Sequence, residues 1–334
     1  MPRYLVTGGA GFIGSHLVAA LVARGQAVRV LDNFSTGSAT NLSYVLGHDV
    51  PAPADGATAR VDSVEMVCGD IRDRKMSDRA CQGVEVVFHQ AAMRAVPRSI
   101  DDPSGAHETN ATGTLNILLA ASRAGARRVV SASSSSVYGD NPALPKQEDQ
   151  LPAPISPYAA SKIAGEYYCR VVARTYGLST VSLRYFNVFG PLQDPQSQYA
   201  AVIPLFITWT LEGRDLEIHG DGLQSRDFTY VDNVVSANLL AADAPDLQGE
   251  AFNVACGERL TLLDLADTIE RLIGRRVGRQ HTAPRRGDVR HTLADISQAR
   301  GRLGYEPRVG FAEGMARTVD YFRQRTTVRH AGGR

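Results

Sequence analysis

Residues 4–14 read YLVTGGAGFIG: a short apolar run stops on glycines and restarts as a segment with Ile13, Leu17 and Leu21 at helical spacing, closed by Gly25. A strand that turns into a helix over so few residues must pack that helix back onto its own sheet. This restricts the chain to α/β architectures with right-handed crossovers. The same alternation recurs downstream. AVRVLD (27–32), VEMVCGD (64–70), VEVVFHQAA (84–92) and RRVVSASSSSVYG (127–139) are β-branched runs of the kind buried on both faces of a parallel sheet. Between them lie helical patterns such as Leu115, Leu118 and Leu119 before Gly125, with glycine as the C-terminal cap. The pattern predicts a Rossmann-like, doubly wound parallel sheet.

From about residue 188 the rhythm degrades into a Gln/Pro-rich loop (190–198), short strands near 216–219 and 251–255, and helices near 261–273 and 311–324. We therefore expect a nucleotide-binding domain over 1–187, with a segment around 225–255 returning to it, and a smaller substrate-binding lobe over 188–330. Residues 47–60, GHDVPAPADGATAR, read as a surface loop. A chain of 334 residues can bury cores of both sizes. With a formal net charge of +1 and no blocks of one sign, nothing suggests a nucleic-acid surface. No apolar run reaches the roughly 20 residues of a membrane helix. The expectation is a soluble cytoplasmic protein whose separated cysteines, Cys68, Cys81, Cys169 and Cys256, are reduced thiols that hold no metal.

Gly8, Gly11 and Gly14 supply the tight turn and close backbone approach that set a pyrophosphate on a helix N-terminus. Asp32 ends the next strand, where a carboxylate accepts the adenosine ribose hydroxyls and repels a 2′-phosphate. Asn33 and Phe34 follow it without positive charge, so NAD is expected over NADP. Asp70, ending the third strand, reads either as an adenine contact or as an ordinary strand-end turn.

The stretch SPYAASK (156–162) holds one of only three lysines, with Lys75 and Lys146 the others. Ser156 as N-cap and Pro157 as first helical residue set Tyr158 and Lys162 one turn apart on one helix face. A phenol with a pKa of about 10 is a poor base at neutral pH; an ammonium and a helix N-terminus nearby favour the phenolate. Lysine also donates to ribose hydroxyls from a compact head that arginine lacks.

With this pair, the glycine turn and a serine on the preceding strand, the chain resembles the extended short-chain dehydrogenase/reductase superfamily. RYFNVFGP (184–191), YAAVIP (199–204), GDGLQSRDFTYVDNV (220–234) and RRGDVRHTLAD (285–295) extend the likeness to the nucleotide-sugar epimerases, most closely the UDP-N-acetylglucosamine and UDP-glucose 4-epimerases. The resemblance implies Ser134, Tyr158 and Lys162 as catalytic groups. It implies cofactor contacts from Phe12, Ile13, Asn33, Asp70, Ile71, Ala91, Ala92 and Tyr185 besides the glycines and Asp32. It also implies that Asn187, Arg226, Arg285 and Asp288 hold uridine diphosphate, and that these enzymes form homodimers through helices around 103–124 and 157–176. For Arg226 and Arg285 the competing reading is a pair of solvated arginines.

On that resemblance, Tyr158 takes the proton of the sugar 4-hydroxyl while hydride passes to NAD⁺; Ser134 steadies the oxygen, and the ketose rotates and is reduced on its other face. Related 4,6-dehydratases carry an acidic pair where this chain has Ser135 and Ser136, and decarboxylases carry a glutamate near the same point. A non-catalytic NAD-binding regulator would be expected to lose Tyr158 or Lys162, and both are present. The sugar wall by resemblance comprises Arg94, Ala95, Ser136, Asn187, Ala201, Val202 and Thr292. Thr292 is small enough to admit an N-acetyl group, where a tyrosine implies restriction to plain hexoses. Arg94 departs from the glycine common in N-acetyl-preferring relatives; it narrows the pocket, contacts a phosphate, or pairs with a uronic acid.

Overall fold

Seven strands of the central sheet come from the first half of the chain or just beyond it: β1 (Tyr4–Thr7), β2 (Val28–Asp32), β3 (Thr58–Val61), β4 (Val64–Cys68), β5 (Val86–His89), β6 (Arg128–Ser134) and β7 (Ser179–Tyr185). The computed structural model describes residues 3–197, 200–284 and 289–331, with side chains as far as Arg325. The sheet has eight strands, ordered from one edge as Glu250–Val254, β7, β6, β5, β1, β2, β4, β3. Every pairing is parallel except β3 with β4.

Successive side chains of a strand point to opposite faces, so each strand feeds two cores. Val6, Val30, Phe88 and Val130 pack with Leu17 and Val18 of the helix Phe12–Ala23 and with Val234 of the helix Val231–Asp243. Leu5, Leu31, Val87 and Val129 pack on the other face against Ile117 and Leu118 of the helix Gly113–Arg123 and Cys169 of the helix Pro157–Tyr176. Burial on both faces explains why these runs are continuously apolar. A third core, around Phe189, Ile203, Phe206, Leu265 and Ile269, joins the helices Val202–Glu212, Leu262–Ile273 and Phe311–Ala331.

Two expectations are corrected. Residues 58–61 are not loop but the antiparallel edge strand β3, whose alternating exposed side chains gave no continuous apolar run. Arg60 reaches the Glu65 carboxylate on β4, and Arg79 Nη2 donates to Thr58 Oγ1 at 2.6 Å. The last helix runs on to Ala331 rather than ending near 324. All four cysteines are free thiols. Among the described residues no helix is long and apolar enough to cross a membrane.

The strand order reverses at β1, which has β2 on one side and β5 on the other. The carboxyl ends of β1 and β5 diverge there into a crevice, the usual place for a ligand in such a sheet.

Candidate active site

The crevice is built on the glycine turn. Gly8 leaves β1 at φ +67°, a conformation that only glycine adopts without strain, and a Cβ there would stand 2.7 Å from the Ala91 nitrogen. At Gly14 a Cβ would stand 2.1 Å from the Gly8 carbonyl oxygen. The first turn of the helix Phe12–Ala23 therefore lies directly on the loop, with its free N–H groups at the cleft. That geometry favours an anion. Ala10 N donates to Asp32 Oδ2 at 2.9 Å and Phe34 N to Oδ1 at 2.8 Å, fixing the carboxylate at the end of β2. Burial pushes the Asp32 carboxyl up, and these two N–H groups pull it back down.

A cleft of about 890 Å³ runs from this turn to the helix Pro157–Tyr176. Gly8, Gly11, Phe12, Ile13, Gly14, Asp32, Asn33, Asp70, Ile71, Ala91, Ala92, Arg94, Tyr158, Lys162 and Tyr185 all line it. Asp70 is a structured strand end: Arg72 Nη2 donates to it at 2.8 Å and Asn33 Nδ2 at 2.9 Å. Burial raises its pKa, but these bonds outweigh burial and hold the carboxyl below its usual range. Tyr185 is fixed by Gln90 and Asn238, and burial pushes its phenol to about 12, so it serves as a neutral wall. The residues fit NAD: an N–H-lined turn, an acid at the ribose position, and no cation among Asn33, Phe34, Ser35 and Thr36 beside it.

At the other end of the cleft, Ser156 Oγ accepts from Ala159 N at 3.2 Å and Pro157 opens the helix. Tyr158 and Lys162 follow on one face, with the ammonium 6.0 Å from the ring centroid. Ser134, last residue of β6, acts on the Tyr158 phenol to lower its pKa, and its Oγ accepts from Ser136 N at 3.2 Å and Ser136 Oγ at 2.9 Å.

The electrostatics differ from the sequence expectation. Burial raises the Tyr158 phenol above its ordinary value; the Ser134 hydrogen bond and the charge of Arg94 act against it. The Lys162 ammonium is tied to the Ala132 carbonyl at 2.9 Å, and burial lowers it to about 8, with Glu166 opposing. Spacing put the lysine one turn from the phenol but gave no sign of this carbonyl, which takes one of the ammonium's hydrogen bonds. Behind Lys162 the buried Glu166–Arg184 ion pair, 2.8 Å, accepts from Ser133 Oγ and reaches Tyr138, bracing the strand that carries Ser134.

Of the expected substrate residues, the structure brings Asn187, Arg226 and Thr292 together, apart from the walls of the main cleft. Asn187 Nδ2 donates to Thr292 Oγ1 at 3.1 Å and to the Asp227 carbonyl at 3.2 Å. Arg226 Nη1 donates to the carbonyls of Ser225 and Arg290, both at 3.0 Å. Ala201 caps the helix Val202–Glu212, whose first residue packs on the third core. Arg285 and Asp288 lie outside the described residues.

Sequence reading missed Asp227, whose buried carboxyl accepts from Cys256 N, Gly257 N and Ala294 N at 3.0–3.2 Å and joins three segments distant in sequence. Burial pushes it up to about 7 despite those bonds. Arg98, Asp194, Tyr321 and Phe322 also line the cleft. They reach it through tertiary packing alone, and no local motif marks them.

Residues 4–255 match the NAD dependent epimerase/dehydratase family. A UDP-glucose 4-epimerase of Mycolicibacterium smegmatis is 40% identical over 97% of this chain and 99% of its own. The crystal structure of a UDP-glucose 4-epimerase from Thermotoga maritima, with UDP-glucose, superposes with a TM-score of 0.88 at 37% identity, over 97% of this chain and 99% of that one. A UDP-N-acetylglucosamine 4-epimerase from Methanobrevibacter ruminantium, in complex with UDP-N-acetylmuramic acid, gives the same score and coverage at 36% identity. A glycine turn, an acid at the ribose position and a Ser-Tyr-Lys group at one cleft, on a chain matched almost end to end, make this protein a member of the NAD dependent epimerase/dehydratase family.

Proposed function

We propose that the chain is an NAD-dependent UDP-hexose 4-epimerase that interconverts UDP-GlcNAc with UDP-GalNAc and accepts UDP-Glc and UDP-Gal. The observation that carries the reading is the Tyr158–Lys162 pair on one helix face at the cofactor cleft, with Ser134 acting on the phenol and Ser135 and Ser136 where elimination chemistry requires acids. The chemistry supplied by bound NAD is removal and return of hydride at sugar C4. Tyr158 accepts the hydroxyl proton and gives it back, Ser134 holds the oxygen in place, and Lys162 holds the cofactor ribose. Asn187, Arg226, Arg285 and Asp288 grip the diphosphate from a substrate lobe over 188–330, opposite a cofactor domain over 1–187. Incubating the purified protein with each UDP-sugar and resolving the products by chromatography tests the reading. A 4,6-dehydrated product, or no conversion at all, would overturn it.

Thr292 supports the N-acetylated pair. Its hydroxyl accepts from Asn187 and from Asp227 N, which fixes this small, buried side chain beside Asn187. Thr292→Tyr is expected to lower kcat/KM for UDP-GlcNAc and UDP-GalNAc by about 10²-fold and to change the plain hexoses only a few-fold. Equal losses for the two pairs would remove Thr292 as the gatekeeper.

We infer a homodimer built on the helices around 103–124 and 157–176. Tyr167 and Val171 are 49% and 52% exposed, and with Tyr168 they form one apolar face of the second helix. Light scattering is expected to give twice the chain mass, and a single-chain mass would refute the dimer.

A further inference from the structure

Arg94 enters the cleft on a backbone clamped from both sides to the helix that carries the base. On one side, Met93 N donates to Asn110 Oδ1 at 2.8 Å and Asn110 Nδ2 returns to Met93 O at 3.0 Å. Asn110 Nδ2 also donates to Ser161 Oγ at 3.0 Å, and Ser161 Oγ to Tyr158 O at 2.8 Å. On the other side, Tyr158 N donates to Ser99 Oγ at 3.0 Å, and Ser99 Oγ to Val96 O at 2.7 Å. Between the clamps Ala95 sits at φ +80°, an unfavourable backbone for a residue with a Cβ. The chain holds that conformation where Arg94 turns into the cleft beside Tyr158.

The guanidinium it presents is half-buried and, among the described residues, has no hydrogen bond or ion pair. Of the charged groups in the cleft, Arg94 acts on the Tyr158 phenol; Arg98, Asp102 and Asp194 line the same cleft, and Lys162 on the same helix has its ammonium 6.0 Å from the ring centroid. Arg94 is attracted by Asp194 and by Tyr158 and repelled by Arg98, while burial lowers its own pKa. Lys162 is engaged by the Ala132 carbonyl and faces Glu166.

We propose that Arg94, on a backbone that this double clamp ties to the helix of the base, is the positioning residue that keeps Tyr158 competent to accept the substrate proton. The inference rests on Tyr158 being the base of the proposed reaction. Arg94 acts through the phenol: its charge favours the phenolate and stands against the cost of burying that charge. Removing the charge disfavours phenolate, so Tyr158 titrates at higher pH and the acid limb of the rate profile moves the same way.

The test uses NAD-loaded protein and the Arg94→Gln and Arg94→Lys variants. Tyr158 is titrated by its ultraviolet tyrosinate band, with Tyr158→Phe as the background, and kcat/KM is followed against pH. Arg94→Gln is expected to move the Tyr158 transition and the acid limb upward by about one pH unit. Arg94→Lys is expected to restore at least half of that shift. A Tyr158 transition unmoved in Arg94→Gln overturns the proposal, as does a loss in KM alone with an unchanged pH profile. Because the absorbance titration needs no substrate, a shift seen in protein inactive on every UDP-sugar would refute the proposed reaction and leave the Arg94 effect standing.

Discussion

Tyr158→Phe is expected to lower turnover by about 10²- to 10⁴-fold while leaving UDP-sugar affinity within a few-fold of the original. The substitution keeps the ring and removes only the phenolic oxygen on which Ser134 and Arg94 act. No neighbouring group can take over. His89 is buried between the hydroxyls of Thr7 and Thr114, and desolvation lowers it to about 3. Lys162 is bound to a carbonyl, and Arg94 cannot give up its proton at any working pH. Steady-state kinetics, paired with calorimetric titration of UDP-sugar, read the two quantities separately. Turnover close to that of the parent would sink the mechanism.

The second large effect is expected at the glycine turn. Protein purified without added cofactor is expected to retain NAD, since the hydride leaves and returns within one binding event. Gly14→Ala is expected to abolish that retention and to cost on the order of 3 kcal/mol of stability. The added methyl would meet the Gly8 carbonyl oxygen at 2.1 Å and the Gly9 Cα at 2.8 Å, which are backbone atoms unable to swing aside. Relief requires lifting the helix off the turn, which withdraws the N–H groups that face the cleft. Cofactor content from the absorbance of denatured protein, with a thermal melt on the same sample, checks both. An alanine variant that keeps full cofactor content would show that the close packing is not what forms the site.

The parts legible in the sequence are those whose chemistry is local. A strand stopping on Gly8, a helix starting after Gly11, and Ser156 and Pro157 ahead of Tyr158 each follow from neighbours within one turn, and the structure has them where the spacing requires. What distant segments decide was not legible. β3 is a strand because β4 offers it an edge, and its own residues alternate too weakly to announce it. Asp227 reads as one acid in a polar stretch until residues 256, 257 and 294 converge on it. Lys162 read as the cation serving the phenol, and only the fold reveals the Ala132 carbonyl that holds it and the arginine 68 positions earlier whose charge also acts on the phenol.

The strand Glu250–Val254 lies beside β7 at the sheet's edge, in register from Val181 to Tyr185. The polypeptide thus leaves the sheet after Tyr185, builds part of the third core around Phe189 and Phe206, comes back to complete the sheet, and departs again. A chain ended after β7 would bare a row of unpaired amides and carbonyls on a buried-type strand, an open template for another molecule to dock against. A graft that exchanges the segments around the third core between relatives therefore has two seams to match, one on each side of the returning strand. This interleaving ties the third core to the sheet itself, so such a chain accepts substitution within a core more readily than the exchange of a module.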